Sequence, residues 1–338
     1  MIFQSATVLL LVFPVVASAH HARVYFSDDV LEIEGELASV MWRNPHPEFT
    51  VNVRSPTGED EVWRLEGSGS LYRLQRAGVT RATFEIGQRI RVVGQVSTRA
   101  ERELLATNIL LPSGTEAVLR PGPLSNRYWA EAESAVGIEE ESFYDSVAAA
   151  RENRGIFRVW SPPPPGNGIP SHTPFTQAAI EGRSSWDPLD NFAMRCERPG
   201  LPIVMRNPHP YEFIDNGNEI TLRGETWDIE RTIHMEGNPE GQPATPLGYS
   251  VGRWEGNVLV VQTTRINWPY FDNIGTRQSE AVELIERFTV SEDQTRLDYH
   301  MTINDLATFT EPATYERFWL ALGETLPTYD CRVNLAFE

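Results

Sequence analysis

The sequence of 338 residues contains no lysine, so all 29 of its lysine-plus-arginine positions are arginine. Schiff-base chemistry, attachment of pyridoxal phosphate and the phosphate-binding P-loop each require a lysine amine and are therefore excluded. The arginines are outnumbered by 47 acidic residues, which gives the chain a formal net charge of −18. An acidic surface repels phosphate backbones, so nucleic acid is not an expected partner.

Cysteine is nearly as rare: the chain has two, Cys196 and Cys331, both in the C-terminal half. In an exported chain, which meets an oxidising compartment, such a pair predicts a disulfide. A bridge across so long a loop would contribute about 3–5 kcal/mol in a loop-entropy model. Two buried free thiols are the alternative.

Long apolar runs are missing after the N-terminus, where no stretch approaches the ~20 residues that span a bilayer. We therefore expect no membrane span in the mature chain. The first nineteen residues, MIFQSATVLLLVFPVVASA, are an apolar run that ends in small residues. This pattern predicts a signal peptide over 1–19, cleaved after Ala19, and export to the periplasm or the medium. Pro14 and the small-residue end argue against an uncleaved anchor.

Residues 20–113 show a two-residue alternation of apolar and polar positions. It predicts strands over 31–42, 48–55, 60–67, 86–97 and 104–114, with a short helix at 70–78 between the third and the fourth. Three strands, a helix and two strands is the order of an OB-fold. We therefore predict an OB-like five-stranded barrel for this domain.

Residues 114–153 are predicted to be a helical connector. Its last part, IEEESFYDSVAAAREN, places Phe143, Val147 and Ala150 on one face of an amphipathic helix. The stretch SPPPPGNGIPS that follows at 161–171 predicts a stiff, extended surface segment.

Residues 154–338 contain many runs of five to ten residues with strand character, separated by short turn signals such as Asn216-Gly217-Asn218. Neighbouring strands joined by two to five residues form antiparallel hairpins. We predict an all-β chain whose second domain is a lipocalin-like antiparallel β-barrel or a strongly bent sheet, because closure removes exposed edges.

The string RNPHP occurs twice, at Arg43–Pro47 and Arg206–Pro210, with flanks that do not match. Asn-Pro favours a corner between two strands at both places, which argues against a duplicated domain. Turn chemistry does not account for the histidines. Signal cleavage would give His20 a free amino group beside its imidazole, and His21 or His46 could add a second imidazole. Such a site suits copper, whereas a solvated terminus is the alternative.

The second domain offers a candidate ligand site. If Arg231, Arg253 and Glu286 turn inward together with tryptophans, they form an apolar pocket with a few polar anchors. A filled core with the arginines paired outside is an equally weighted alternative. The expected ligand-binding residues are Trp160, Arg231, Tyr249, Arg253, Trp254, Trp268 and Glu286.

GYSVG at 248–252 has the Gly-x-Ser-x-Gly form of a hydrolase nucleophile elbow. That motif requires a strand before the serine and a helix after it, whereas here a proline-rich stretch precedes it and a hairpin follows. Asp298 and His300 stand two residues apart and would share one strand face, which suits a catalytic triad with Ser250 poorly.

Two segments resemble known families. HHARVYFSDD and EGELASVMWRNPHPEFTVNV resemble an uncharacterised family of exported bacterial domains, over about ninety residues that match in His20, His21, Asn44, Pro45 and His46. GYSVGRWEG, LVVQTT, Ser279-Glu280 and Glu286-Arg287-Phe288 resemble an uncharacterised bacterial domain often found in exported proteins. That domain usually carries a histidine where this chain has Gln278. Neither resemblance implies an activity.

These patterns favour an exported protein that binds a small lipophilic or carbohydrate-like ligand and catalyses no reaction. Two alternatives stay open: an enzyme that acts in the second barrel, and a copper-binding protein that uses His20. No other cofactor is expected.

Overall fold

The computed structural model describes residues 26–44, 46–55, 57–98, 100–120, 126–138, 149, 151–152, 154–163, 171–187, 190–207, 209–323, 325–329 and 331. The predicted signal peptide, His20, His21 and nearly all of the predicted connecting helix lie outside these residues. The described part is mostly β-structure, in two sheets of seven and ten strands. This confirms the predicted all-β class.

The N-terminal sheet begins with five strands that form a ring, β1 (Phe26–Met41), β2 (Glu48–Arg54), β3 (Asp60–Gly67), β4 (Arg89–Ser97) and β5 (Glu103–Leu110). Their order is β3-β2-β1-β4-β5, and a parallel pairing of β3 with β5 closes the ring. A short helix, α1 (Leu71–Arg76), lies between β3 and β4. The predicted OB-like barrel is confirmed. Two short strands, β6 (Thr115–Val118) and β7 (Ser134–Val136), continue the sheet beyond β5.

Alternating side chains fill this barrel. Leu37, Phe49 and Val92 are almost fully buried, and their polar neighbours along the strands face outward. Glycine allows the backbones to approach closely where the barrel bends. A Cβ atom on Gly94 would lie 2.5 Å from the carbonyl oxygen of Leu105, so glycine is required at this position of β4.

The C-terminal sheet contains β8 (Val159–Trp160), β9 (Ser171–His172), β10 (Tyr211–Asp215), β11 (Glu219–Gly224), β12 (Ile229–His234), β13 (Tyr249–Glu255), β14 (Val258–Thr264), β15 (Glu283–Val290), β16 (Arg296–Asn304) and β17 (Ala313–Leu320). The order is β8-β10-β11-β12-β13-β14-β15-β16-β17-β9. The sheet curls into a half-barrel, and Ser161, just after β8, and Leu320, at the end of β17, exchange backbone hydrogen bonds of 2.9 and 2.8 Å. A second short helix, α2 (Gln177–Ser184), lies between β9 and β10.

One pairing departs from the antiparallel expectation: β12 and β13 run parallel, with Ile233 opposite Ser250. A parallel pair cannot be joined by a tight turn, so residues 235–248 form a long connection. A second long connection, residues 265–282, joins β14 to β15. The two meet where Thr245 donates to the carbonyl of Arg265 and accepts from the amide of Asn267, both at 3.0 Å.

The predicted disulfide is confirmed, because Cys196 and Cys331 are bonded to each other. An oxidising compartment is in keeping with this bond.

Candidate functional site

The interior of the half-barrel contains a buried polar network centred on Arg231 of β12 and Glu286 of β15. Arg231 donates from Nη1 to Glu286 Oε1 at 3.1 Å and from Nη2 to Oε2. It also donates from Nε to Ser250 Oγ at 2.9 Å and from Nη2 to Thr263 Oγ1 at 2.7 Å. The hydroxyl of Tyr299 donates to Glu286 Oε1 at 2.8 Å. Each nitrogen of the guanidinium therefore has an acceptor inside the sheet.

These residues fill space that an internal ligand would need. Arg231 and Glu286 are 2% and 0% exposed, and rings pack around them, with the centroids of Phe288 and Tyr299 4.8 Å apart. Burial, followed by the nearby Glu286 carboxylate, raises the pKa of Tyr299 well above its ordinary value, so the hydroxyl keeps its proton and donates. The network is a satisfied internal ion pair, as buried charges require.

The structure separates the other residues expected to bind a ligand. Trp160 is fully buried and donates from its indole to the carbonyl of Ile156 at 2.8 Å. Tyr249 stacks on His234 on the outer face of the sheet, with ring centroids 4.5 Å apart. Trp268 is buried in the long connection 265–282.

Arg253 does not turn inward as expected. Arg253 lies on the outer face of β13 and pairs with Glu255 at 2.7 Å. Trp254 lies opposite the buried Leu259, on the same face of β13 as Ser250, but it is 45% exposed near the end of the strand. Ligand binding by the seven expected residues stays a prediction, but they do not form one pocket.

The hydrolase interpretation of GYSVG is incompatible with the geometry. Ser250 lies within β13, 1% exposed, and its hydroxyl bonds to Arg231 and Thr263. Asp298 and His300 occupy the outer face of β16, where they pair with Arg296 and Glu316. The three side chains therefore do not meet.

A surface cleft of about 340 Å³ lies where the two long connections of the half-barrel converge. Its lining combines polar and apolar residues: Asn238, Pro239, Glu240, Thr264, Arg265, Glu280, Ala281 and Val282. Arg265 links the two connections, because its Nε donates to the carbonyl of Pro239 at 3.2 Å. Its backbone is left-handed, with φ 60°, which is unusual for a residue with a side chain and common at ligand sites.

Asp305 anchors Ser279, the residue that precedes Glu280 of the cleft lining. Its carboxylate accepts from the amide and the hydroxyl of Ser279, both at 2.8 Å, and from the hydroxyl of Thr308 at 2.7 Å. Burial opposes ionisation of Asp305, but the hydrogen bonds from Ser279 and Thr308 outweigh it and lower the pKa of this carboxyl. These hydrogen bonds anchor the backbone next to Glu280.

Gln278, two residues before Glu280, tethers the connection 265–282. Its amide Nε2 donates to the carbonyls of Leu201 and Trp268, each at 2.8 Å. In this chain the side chain anchors the connection to the core beside the cleft.

The cleft was not among the predicted sites, because long connections carry no hydrophobic periodicity. Two signals could have indicated it: the Ser279-Glu280 resemblance, and the length of the irregular connection 265–282, since long loops in compact domains are often functional. The cleft offers carboxylates, a guanidinium, an amide and a hydroxyl. Such a set can donate to and accept from a ligand rich in hydroxyl groups.

The copper hypothesis gains no support from the part of the chain that is described. His46 is largely buried, and its Nε2 lies 3.9 Å from Glu66 Oε1. Among the described residues, no three His, Cys, Asp or Glu side chains are placed to share a metal ion. Because His20 and His21 lie outside these residues, copper binding at the N-terminus stays a prediction.

The fold defines the class of protein: an OB-like barrel joined to a curled β half-barrel that carries a surface cleft. Residues 9–105 match a family of unknown function (DUF6152), which covers most of the barrel. No curated protein matched the chain. Within the described ranges, no helix is long and apolar enough to cross a bilayer.

Proposed function

We propose that this chain is an exported protein that binds a small carbohydrate-like ligand in the cleft between residues 238–240, 264–265 and 280–282, and that it catalyses no reaction. The observation that carries this proposal is the convergence of the two long connections on one cleft of about 340 Å³, whose lining includes the charged residues Glu240, Arg265 and Glu280. Its volume is in the range of small-molecule sites.

The filled interior favours a polar ligand over a lipophilic one. A lipid needs an apolar cavity, whereas the centre of the half-barrel is occupied by the Arg231–Glu286 pair. At the cleft, Glu240 and Glu280 can accept hydroxyl protons and Arg265 can donate to ring or hydroxyl oxygens. These groups are mostly exposed, so a ligand would replace bound water with little strain.

The predicted signal peptide supports export, and the Cys196–Cys331 bond supports an oxidising destination such as the periplasm or the medium. Residues 9–105, which match a family without assigned activity, neither favour nor oppose ligand binding.

Saturation-transfer NMR with a panel of neutral mono- and disaccharides tests the proposal. Sugars that bind the wild-type protein should bind Glu280→Gln and Glu240→Gln about tenfold more weakly, since each change removes a charge-assisted hydrogen bond. Glu292→Gln, in an exposed turn away from the cleft, is the matched control and should bind like the wild type. Equal binding by all four proteins, or none by the wild type, would contradict the proposal.

A further inference from the structure

The C-terminal end of the described chain, residues 325–329 together with Cys331, lies between the two domains; we refer to it as the clasp. On the side of the C-terminal domain, Cys331 is bonded to Cys196, which ends the 3₁₀ turn Phe192–Arg195. Tyr329 donates its amide to Asp228 Oδ1 at 2.9 Å, and its ring lies 5.8 Å from that of Trp227. The clasp is therefore part of the C-terminal domain.

On the other side the clasp contacts Asn44, in the first RNPHP string. Asn44 is 1% exposed, and its Nδ2 donates to the carbonyl of Tyr329 at 2.5 Å. Its backbone forms a bridge with Cys331. Its Oδ1 accepts from the amide of Leu71 at 3.4 Å, where α1 begins. One buried side chain thus connects the clasp to the β1–β2 corner and to α1.

We propose that the Cys196–Cys331 disulfide is an interdomain lock, which keeps the clasp seated on Asn44 and so couples the OB-like barrel to the half-barrel. The physical reason is the position of Cys331 two residues after Tyr329, whose carbonyl accepts from Asn44. The disulfide ties this segment covalently to Cys196 and so holds the carbonyl of Tyr329 at Asn44. Without it, the clasp leaves and Asn44 loses its acceptor inside a buried junction, which is unfavourable.

Reduction of the Cys196–Cys331 disulfide is the chemical step that opens the lock. A dithiol transfers two electrons and two protons to the bridge, the S–S bond breaks to give two cysteine thiols, and the dithiol becomes a cyclic disulfide. The domains keep other contacts, because Arg76 Nη1 still donates to the carbonyl of Pro162 at 3.0 Å. The ring of Tyr72 also still faces that of His209, 6.4 Å away. Reduction therefore loosens the junction and leaves both barrels folded.

Hydrogen–deuterium exchange of the full chain, before and after treatment with dithiothreitol, tests the lock. Reduction should raise exchange about fivefold or more in the β1–β2 corner, residues 41–48, and in α1. These elements are far from both cysteines in sequence. Strands β4 and β15, in the two cores, should keep their protection and thereby show that both domains remain folded.

Two variants separate the lock from simple stabilisation of the C-terminal domain. Asn44→Ala with the disulfide intact should reproduce the faster exchange in α1 and leave residues 190–196 unchanged. In the Cys196→Ser, Cys331→Ser double variant, adding Asn44→Ala should have little further effect, because the clasp has already left. If reduction speeds exchange only around residues 190–196 and 325–331, the disulfide serves the C-terminal domain alone and the proposal is overturned. An additive effect of Asn44→Ala would overturn it equally.

Discussion

At the scale of single residues, the most consequential feature is a charge pair enclosed by a β-sheet. The guanidinium of Arg231 donates hydrogen bonds to the carboxylate of Glu286, and Ser250, Thr263 and Tyr299 complete the network. Such a pair contributes little net stability when complete, but it is costly to break, since the remaining charge is buried alone.

Replacing one member of the pair should destabilise the protein strongly. Arg231→Met keeps an unbranched apolar stem and leaves the Glu286 carboxylate uncompensated, so we expect a loss of about 3–5 kcal/mol in the free energy of unfolding. Urea denaturation measures it. Arg287→Met is the matched control on the outer face of the same sheet, where Arg287 pairs with Glu255 at 3.0 Å and is 43% exposed. It should cost about 1 kcal/mol or less. Similar losses of unfolding free energy for both variants would show that the sheet does not shield the Arg231–Glu286 pair from solvent.

Asp305 predicts a dependence of stability on pH. Its folded pKa is lowered from an ordinary value of 3.8, so its contribution is fully present above the unfolded value and is lost as pH falls through the folded pKa. Asp305→Asn should therefore reduce the slope of unfolding free energy against pH below about pH 4 and lower the stability at neutral pH. Urea titrations from pH 7 to pH 3 check this. An unchanged slope would mean that Ser279 and Thr308 do not stabilise the ionised form.

At the scale of elements, two-residue alternation predicted the strands well, because many strands have one buried and one more exposed face. The segments around Phe49, Leu65 and Val92 alternate in the sequence as they do in the barrel. The parallel pairing of β12 with β13 was not predictable, since it is decided by tertiary packing and not by local pattern. The cleft was missed for a related reason: it is built from connections, whose sequences carry no period.

Two glycines should respond oppositely to alanine. Gly94→Ala places a methyl group against the carbonyl of Leu105 in the N-terminal barrel, where a Cβ would be only 2.5 Å away. It should destabilise the protein by about 1–3 kcal/mol. Gly182 lies exposed within α2, where a Cβ would meet no atom of the described residues within 4 Å. Gly182→Ala should therefore stabilise by up to about 1 kcal/mol through helix propensity. Thermal unfolding distinguishes them; a shift of the same sign in both would contradict the packing described.

At the scale of the whole molecule, the order of secondary-structure elements and the cysteine count predicted more than any motif did. The order of strands and helix predicted the OB-like barrel, and the two cysteines predicted their bond. What the sequence could not reveal is how the domains meet. The repeated RNPHP strings have no shared flanks, yet Asn44 of one and His209 of the other both lie at the junction. Contacts between segments so distant in sequence leave no local signal.

The charge of the molecule predicts its behaviour toward nucleic acid. OB-folds often bind single strands in a positively charged groove. Residues 20–113 contain 11 arginines against 13 acidic residues, and the whole chain carries −18. Fluorescence anisotropy with labelled single-stranded DNA at low salt should therefore show no binding. Association that weakens steeply with added salt would reveal a basic groove that the overall charge conceals.

The most direct test of ligand binding at the cleft is a footprint of the native ligand. Protein purified from its own host, and the same protein after stripping of small molecules, should be compared by hydrogen–deuterium exchange, with mass spectrometry of what was released. We expect a hydroxyl-rich compound and protection confined to residues 238–240, 264–265 and 280–282. Protection on β12 and β15, around Arg231 and Glu286, or on the OB-like barrel with the cleft unchanged, would contradict the account.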